Sequence, residues 1–198
     1  KIQSDYSAAG HKAFFIPVGA SDEIGLWGYI AACEELKKDF ARLQMVPEYI
    51  VVATGSGGTQ GGLILGAELF GLSSQIVAFN VSDDAAYFEA KIRKDVMLWM
   101  QRYKQQVDMD KLKITTVEGY IGPGYGVAGP EIFETIREVA SSDGIFLDPV
   151  YTGKAFHGML SELRKGDAGQ LAGARNVLFI HTGGLFGVFP QQQNFVFD

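Results

Sequence analysis

Short apolar runs alternate along this chain with longer amphipathic segments. The short runs have the length and composition of buried strands, and they fall at residues 14–18, 50–53, 75–80, 113–118, 144–147 and 176–180. The longer segments predict helices over residues 21–36, 63–70, 83–106, 131–142 and 155–164. This alternation predicts one α/β domain over residues 1–198, with a doubly wound, mostly parallel sheet in a three-layer α/β/α arrangement.

Three glycine-rich loops follow predicted strands, at residues 54–62, 119–126 and 181–184. In a doubly wound sheet, ligands bind where the carboxyl ends of the strands meet. We therefore expect these three loops to lie at one site. The second loop carries Tyr120 and Tyr125. An exposed tyrosine on such a loop is typical of a ligand wall, although packing against the next helix is the alternative.

The first of these loops has the composition of an anion-binding turn. Gly55, Ser56, Gly57, Gly58 and Thr59 separate an apolar run from a helical one. Backbone N–H groups at a helix amino terminus attract anions, and glycines let a phosphate approach closely. The spacing excludes a Walker A loop, which needs a lysine, and makes a dinucleotide-binding loop the runner-up because its third glycine comes one residue late. A tight turn with no ligand is the remaining alternative.

Composition and charge restrict the classes of function. The 198 residues are 47% hydrophobic and 20% charged, which is typical of a globular domain. A net charge of −6 and the lack of a basic run disfavour nucleic-acid and anionic-membrane partners. The single cysteine, Cys33, cannot form an internal disulfide, so we expect a cytoplasmic location. The three histidines lack the spacing of a metal site, and we expect no metal.

Five motifs occur in an order that is known from one enzyme family. They are Ile16-Pro17-Val18-Gly19 with Gly25, Thr54-Gly55-Ser56-Gly57-Gly58-Thr59, Gly122-Pro123-Gly124-Tyr125-Gly126, Asp148-Pro149-Val150-Tyr151-Thr152-Gly153-Lys154, and His181-Thr182-Gly183-Gly184. Together they resemble the family of D-cysteine desulfhydrase and 1-aminocyclopropane-1-carboxylate (ACC) deaminase, which are pyridoxal-phosphate enzymes with a tryptophan synthase β-like fold. The resemblance implies that residues 1–198 are the large, cofactor-binding domain of such a fold type II enzyme.

The resemblance also assigns roles to motif residues. Residues 55–59 would hold the phosphate of pyridoxal 5'-phosphate, and Tyr125 and Tyr151 would line the substrate pocket and the cofactor ring. Thr182 would face the pyridine nitrogen, where a neutral hydroxyl makes the ring a weaker electron sink that suits β-elimination. Thr152, also expected beside the cofactor, stands where the deaminase branch has a glutamate. Both threonines favour α,β-elimination of D-cysteine to pyruvate, ammonia and sulfide over the deaminase branch.

This chain departs from the family's pattern in two places. The family's Schiff-base lysine and most of its small domain lie upstream of the segment that this chain matches, and Lys154 does not correspond to that lysine. We therefore expect the 198-residue chain alone to be inactive. In addition, Ala20-Ser21-Asp22 stands where relatives usually have Gly-Ser-Asn.

The family implies a small amino-acid substrate and a homodimer. Two interpretations from other classes remain open. One is a non-catalytic phosphate- or nucleotide-binding module, and the other is an interaction fragment in which Trp99 and Tyr103 form a subunit surface.

Overall fold

Four parallel strands form the centre of the computed structural model, which describes residues 2–196. The strands are β1 (Tyr49–Thr54), β2 (Gln75–Asn80), β3 (Thr115–Val117) and β4 (Val177–Phe179). The helices are α1 (Ile2–Ala8), α2 (Leu26–Leu43), α3 (Gly58–Phe70), α4 (Ala85–Tyr103), α5 (Pro130–Asp143) and α6 (Thr152–Arg164). Short 3-10 helices lie at Val18–Ala20, Gly166–Ala168, Leu185–Gly187 and Phe189–Asn194.

Helices cover both faces of the sheet. Ile50 and Val52 of β1 join the core formed with α2, α3 and α4, whereas Val51 and Ala53 join the core formed with α6. Because both faces of β1 are buried, its sequence is a continuous apolar run and does not alternate with polar residues. Helix α5 packs beside α6 around a third, smaller core. The predicted parallel sheet with helices on both faces is confirmed.

The strand order reverses beside β1. The spatial order is β3-β2-β1-β4, so the chain moves outward from β1 to β3 and then returns to the other side of β1. At such a reversal the loops that leave neighbouring strands diverge, and a crevice opens at their carboxyl ends. One predicted loop follows β1 and another follows β4. The topology therefore places both loops at this crevice.

Close contact between α2 and α3 fixes the position of α3. A Cβ atom built on Gly66 would lie 2.7 Å from the Sγ atom of Cys33, so the two helices touch where α3 has a glycine. The Cys33 thiol is buried and donates to the carbonyl oxygen of Leu63 at 3.4 Å. Burial raises the pKa of Cys33 to about 11, which keeps the thiol protonated and unreactive at neutral pH. Cys33 is a packing residue.

Two of the predicted strands are wrong. Residues 14–18 pair with none of the four strands, and Phe14 is 77% exposed. An apolar run becomes a strand only where a neighbour shares its backbone hydrogen bonds, and Pro17 has no N–H to share. Residues 144–147 form no strand either, because Gly144 ends α5 with a φ of 68° and the carbonyl oxygen of Phe146 accepts from His181.

Trp99 lies inside the protein. It is 1% exposed, and its ring centroid lies 5.4 Å from that of Trp27 and 5.7 Å from that of Tyr103. The interpretation of Trp99 as part of a subunit surface is therefore wrong, because α4 turns this residue onto its buried stripe.

None of the helices within residues 2–196 is long and apolar enough to cross a membrane. Within the same residues, no three His, Cys, Asp or Glu side chains converge in a way that could hold a metal ion.

Candidate functional site

A cleft of about 510 Å³ lies at the carboxyl ends of the strands, at the reversal of strand order. It is lined by segments that are far apart in sequence: Val18, Gly19, Ala53, Gly55, Ser56, Thr59, Ser82, Tyr125, Tyr151, Thr182, Gly183 and Gly184. All three glycine-rich loops contribute to this lining. The expectation that they lie at one site is therefore confirmed.

The glycine turn after β1 forms the floor of the cleft. Gly57 is the residue before α3 and has a φ of +85°, a left-handed conformation that side chains disfavour. Helix α3 begins at Gly58, and the neighbouring residues Ser56 and Thr59 line the cleft. The amino terminus of this helix and the two hydroxyls give the floor a set of donors suited to an anion such as phosphate.

Ser21 supports this floor, although sequence reasoning gave it no role. Its Oγ atom lies 2.7 Å from the Oγ atom of Ser56 and accepts from the Gly58 N–H at 3.1 Å. A Cβ atom at Gly58 would lie 2.5 Å from the Ser21 Oγ atom, so a side chain there would displace the serine. The residue at position 58 must therefore be glycine because Ser21 packs against it, whether or not a phosphate binds nearby.

A partly buried ion pair between Lys91 and Asp95 holds the backbone of Ser21. The ammonium group of Lys91 in α4 donates to the carbonyl oxygen of Ser21 at 2.9 Å and contacts the carboxylate of Asp95. Burial raises the pKa of Asp95, and the hydrogen bond and charge of Lys91 oppose that rise. The floor of the cleft is therefore attached to α4 as well as to the sheet.

Two tyrosines form one wall of the cleft. The hydroxyl groups of Tyr125 and Tyr151 are hydrogen-bonded to each other, and their ring centroids lie 5.8 Å apart at an interplanar angle of 75°. Burial, then the hydrogen bond and charge of Tyr125, and then the charge of Asp148 raise the pKa of Tyr151 to about 12. The Tyr151 phenol therefore keeps its proton to more alkaline pH than an ordinary tyrosine, and it can donate a hydrogen bond into the cleft.

Asp148 positions the tyrosine wall, and sequence reasoning gave it no role. Its Oδ2 atom accepts from the backbone N–H groups of Val150 and Tyr151 at 2.8 and 2.9 Å. Its Oδ1 atom accepts from both the backbone N–H and the hydroxyl of Thr152, each at 2.8 Å. A short turn closed by its own aspartate is a local signal that sequence reading could have used.

Thr152 does not line the cleft. It is completely buried, and its hydroxyl also accepts from the backbone N–H of Asp148 at 2.9 Å. With the hydroxyl occupied on both sides by Asp148, the predicted contact of Thr152 with a cofactor gains no support from this geometry. Thr152 instead fixes the start of α6 below Tyr151.

The turn after β4 forms a further part of the cleft lining, and it contains Thr182. The Nδ1 atom of His181 accepts from the Gly183 N–H at 3.0 Å, and its Nε2 atom lies 2.9 Å from the carbonyl oxygen of Phe146. Since a carbonyl oxygen only accepts, Nε2 carries the proton of this ring. A Cβ atom at Gly184 would lie 2.6 Å from the Cγ atom of Asp148. The Thr182 turn and the Tyr151 wall therefore meet at Asp148.

No lysine is among the residues of 2–196 that line the cleft. Lys154 follows Tyr151 by three positions, yet its ammonium group is buried and bonded to the carbonyl oxygens of Ile121 and Gly124. This geometry agrees with the expectation that Lys154 is not the covalent anchor of a cofactor.

Comparison with known proteins gives a consistent family. The family model described as "Pyridoxal-phosphate dependent enzyme" matches residues 2–183. A Thermotoga maritima protein named "Putative 1-aminocyclopropane-1-carboxylate deaminase" is 39% identical over 188 residues, which cover 94% of this chain and 56% of the relative. The Arabidopsis thaliana "Bifunctional D-cysteine desulfhydrase/1-aminocyclopropane-1-carboxylate deaminase, mitochondrial" is 37% identical over 186 residues, covering 92% of this chain and 44% of the relative.

Solved structures agree with the sequence matches. A crystal structure described as an ACC deaminase homologue has a TM-score of 0.82 and 33% identity, and the match covers 97% of this chain and 55% of that one. A crystal structure described as a T.th. threonine deaminase shares the fold alone, with a TM-score of 0.51 and 12% identity over 90% of this chain and 67% of the other. The chain spans about half the length of the curated relatives that it matches.

Proposed function

The chain belongs to the family of pyridoxal-phosphate-dependent enzymes, and from this premise we propose that its cleft binds pyridoxal 5'-phosphate. In this proposal the phosphate lies at Gly55, Ser56, Gly57, Gly58 and Thr59, at the amino terminus of α3. The observation that supports it most strongly is the meeting of three segments in one cleft: this helix terminus, the tyrosine pair and the Thr182 turn.

The residues present fit the cofactor chemically. The turn offers a positive helix end and the hydroxyl groups of Ser56 and Thr59 to a phosphate dianion. The rings of Tyr125 and Tyr151 provide an aromatic wall for the pyridine ring. The hydroxyl of Thr182 would supply a neutral partner for the ring nitrogen. The cleft volume of about 510 Å³ is within the range of small-ligand sites.

Each of these groups then has a task in the reaction. When bound, the cofactor supplies an electron sink for the α-carbon of an amino acid. The glycine turn holds the phosphate and thereby fixes the cofactor in the cleft. The Tyr151 phenol, which carries its proton at neutral pH, donates a hydrogen bond to a developing negative charge or returns a proton to the substrate.

We infer that the reaction is the α,β-elimination of D-cysteine. In this reaction D-cysteine and water give pyruvate, ammonia and hydrogen sulfide. The inference rests on Thr182, a cleft-lining residue that carries a neutral hydroxyl. Thr152 no longer contributes to it, because that residue is buried away from the cleft and bonded to Asp148.

The deaminase reaction is the second candidate, in which ACC and water give 2-oxobutanoate and ammonia. The names of the relatives support it, since the Thermotoga maritima protein is named for the deaminase activity and the Arabidopsis thaliana protein for both. A phosphate-binding module without catalysis is the least supported candidate, given membership in an enzyme family.

Activity is tested on the protein at its natural length and, in parallel, on the 198-residue chain. At natural length we expect release of pyruvate and sulfide from D-cysteine to exceed release of 2-oxobutanoate from ACC. The chain alone is expected to release neither, because no lysine lines the described cleft. Predominant release of 2-oxobutanoate would favour the second candidate, and turnover by the chain alone would refute the need for an added lysine.

Tyr151 allows a matched test of the site. Tyr151→Phe removes the phenol proton, and we expect kcat to fall at least about tenfold. Tyr49→Phe is the control, because Tyr49 lies at the amino end of β1 and donates to the carbonyl oxygen of Ala172 at 2.9 Å, away from the cleft. Equal kcat values for the two variants would contradict the role of Tyr151.

A homodimer and a cytoplasmic location are also part of the proposal. The dimer is supported by apolar side chains that are exposed in the described residues, among them Phe14, Phe15 and Phe186. Sedimentation equilibrium tests it, and a monomeric mass across the accessible concentration range would contradict it. Fractionation of cells that express the natural protein tests the location.

A further inference from the structure

The ammonium group of Lys154 is buried, and within residues 2–196 its hydrogen bonds go only to backbone carbonyl oxygens. Lys154 is the third residue of α6 and is 1% exposed. Its Nζ atom donates to the carbonyl oxygens of Ile121 and Gly124 at 2.6 and 2.8 Å. Among residues 2–196, no carboxylate forms an ion pair with it. A buried cation without a carboxylate partner is an uncommon arrangement.

This position is unfavourable for a positive charge. Burial removes the hydration of the ammonium group, and it lowers the pKa of Lys154 although the charge of Asp148 opposes the change. The amino terminus of a helix also carries positive partial charge, which repels a cation. A leucine or methionine would fill the same space without these costs. The two hydrogen bonds must therefore provide something that an apolar side chain cannot.

Those bonds hold the loop that carries Tyr125. Gly122 and Gly126 have φ angles of 71° and 76°, and the Gly124 carbonyl oxygen also accepts from the Val127 N–H at 3.2 Å. The loop therefore turns sharply around the Lys154 ammonium group. Tyr125 itself is 56% exposed, so packing does little to fix its ring.

The same stretch of chain carries the other tyrosine. Tyr151 precedes α6 directly, and Lys154 lies one helical turn further on. Asp148 fixes the Tyr151 backbone, and Lys154 reaches from the same helix start to the Tyr125 loop. Contacts made at the start of α6 thus determine the distance between the phenol groups of Tyr125 and Tyr151.

We propose that Lys154 is a positioning residue that holds the 121–126 loop so that the Tyr125 hydroxyl meets the Tyr151 hydroxyl. Its relevance to catalysis rests on the proposed function. The contact itself belongs to the chain alone, and so it is tested without cofactor or substrate.

The first test measures hydrogen exchange in the 198-residue chain. In Lys154→Ala we expect exchange over residues 119–127 to rise roughly tenfold or more, because two charge-assisted hydrogen bonds are lost. Addition of n-propylammonium, which fits the space of the deleted side chain, is expected to restore most of the protection. Lys37→Ala is the matched control, since its ammonium group also donates to a backbone carbonyl oxygen, that of Phe70, at 2.8 Å but at an exposed position.

The second test uses phenol ionisation. Burial contributes most to the raised pKa of Tyr151, and the hydrogen bond with Tyr125 comes next. In Lys154→Met the Tyr125 hydroxyl is released from Tyr151, so the pKa of Tyr151 falls below about 12 by the part that Tyr125 contributes. Phenolate absorbance at about pH 11, taken as the difference from the same variant with Tyr151→Phe, measures this change. Tyr125→Phe provides the reference for complete loss of the contact.

The outcomes separate this proposal from the proposed function. Local deprotection that n-propylammonium reverses, together with a lowered Tyr151 pKa, supports the role of Lys154 whether or not the chain binds cofactor. Unchanged exchange over 119–127, deprotection that the amine does not reverse, or an unchanged Tyr151 pKa in Lys154→Met would overturn it. Failure to bind a pyridoxine phosphate would refute the proposed function and leave this result standing.

Discussion

Replacement of Asp148 by asparagine is expected to destabilise the protein strongly. The Asp148 side chain is 1% exposed and accepts four hydrogen bonds, two at each carboxylate oxygen. Asparagine keeps one acceptor and places an NH2 group where the second oxygen was. The Thr152 hydroxyl can rotate to accept from that group, but at least one backbone N–H then faces another donor without an acceptor.

The magnitude follows from these contacts. An unsatisfied buried donor costs about 1–3 kcal/mol, and each remaining bond loses roughly 1 kcal/mol when its acceptor loses charge. Because asparagine is uncharged, the cost of burying the Asp148 charge disappears, and this gain offsets part of the loss. We expect a decrease of about 3 kcal/mol in the free energy of unfolding, which leaves a typical domain folded. With a denaturant slope of about 2 kcal/mol per M, the urea midpoint falls by roughly 1.5 M.

Urea unfolding followed by circular dichroism measures this midpoint in the isolated chain. Asp110→Asn is the matched control, because Asp110 is exposed and no hydrogen bond of its carboxylate is seen within residues 2–196. The control is expected to stay within about 0.5 kcal/mol of the original chain. If Asp148→Asn unfolds at the same midpoint as Asp110→Asn, the four hydrogen bonds do not have the role assigned to them.

Two further predictions concern stability. Ala20 has a φ of 49°, so Ala20→Gly is expected to raise the free energy of unfolding by about 0.5–1 kcal/mol. Ala31→Gly, within helix α2, is expected to lower the free energy of unfolding by about as much. Urea midpoints that move in the same direction in both variants would refute this prediction. Glu162 is buried, which raises its pKa, but hydrogen bonds from Lys165 and Tyr120 lower it overall, below the ordinary value of 4.5. The ionised Glu162 side chain therefore stabilises the folded protein above pH 4.5, and this stabilisation is lost as the pH falls through the depressed pKa. Glu162→Gln should flatten the pH dependence of the urea midpoint in that acidic range. An unchanged acid slope would contradict this prediction.

The architecture could be predicted from sequence because its signals are local. Continuous apolar runs such as Ile50 to Ala53 indicated buried strands, and the glycine-rich stretch indicated that a helix follows β1. Helix α3 begins at Gly58, however, five residues before the predicted start at residue 63. The two failures share a cause. Residues 14–18 and 144–147 have the composition of strands, but a strand also needs a partner ladder, which composition does not reveal.

The supporting residues of the site could not be predicted because their contacts are distant in sequence. Ser21 meets Ser56 across 35 positions, and Lys154 meets Ile121 across 33. The family resemblance placed Thr152 beside the cofactor, because it stands where the deaminase branch has a glutamate. The start of α6 instead turns its side chain into the interior, toward Asp148. Neighbours in a motif can thus face opposite sides of a helix start.

The most direct test of the central claim compares ligands with and without a phosphate. Pyridoxine 5'-phosphate and pyridoxine lack the aldehyde and so cannot react with surface lysines. Calorimetric titration of the chain should give at least about tenfold tighter binding of the phosphate form, and Thr59→Val should reduce that preference several-fold. Thr115→Val, which loses a hydroxyl that accepts from Gln75 outside the cleft, should keep it. Equal affinity of the unaltered chain for both ligands would contradict a phosphate site at the glycine turn.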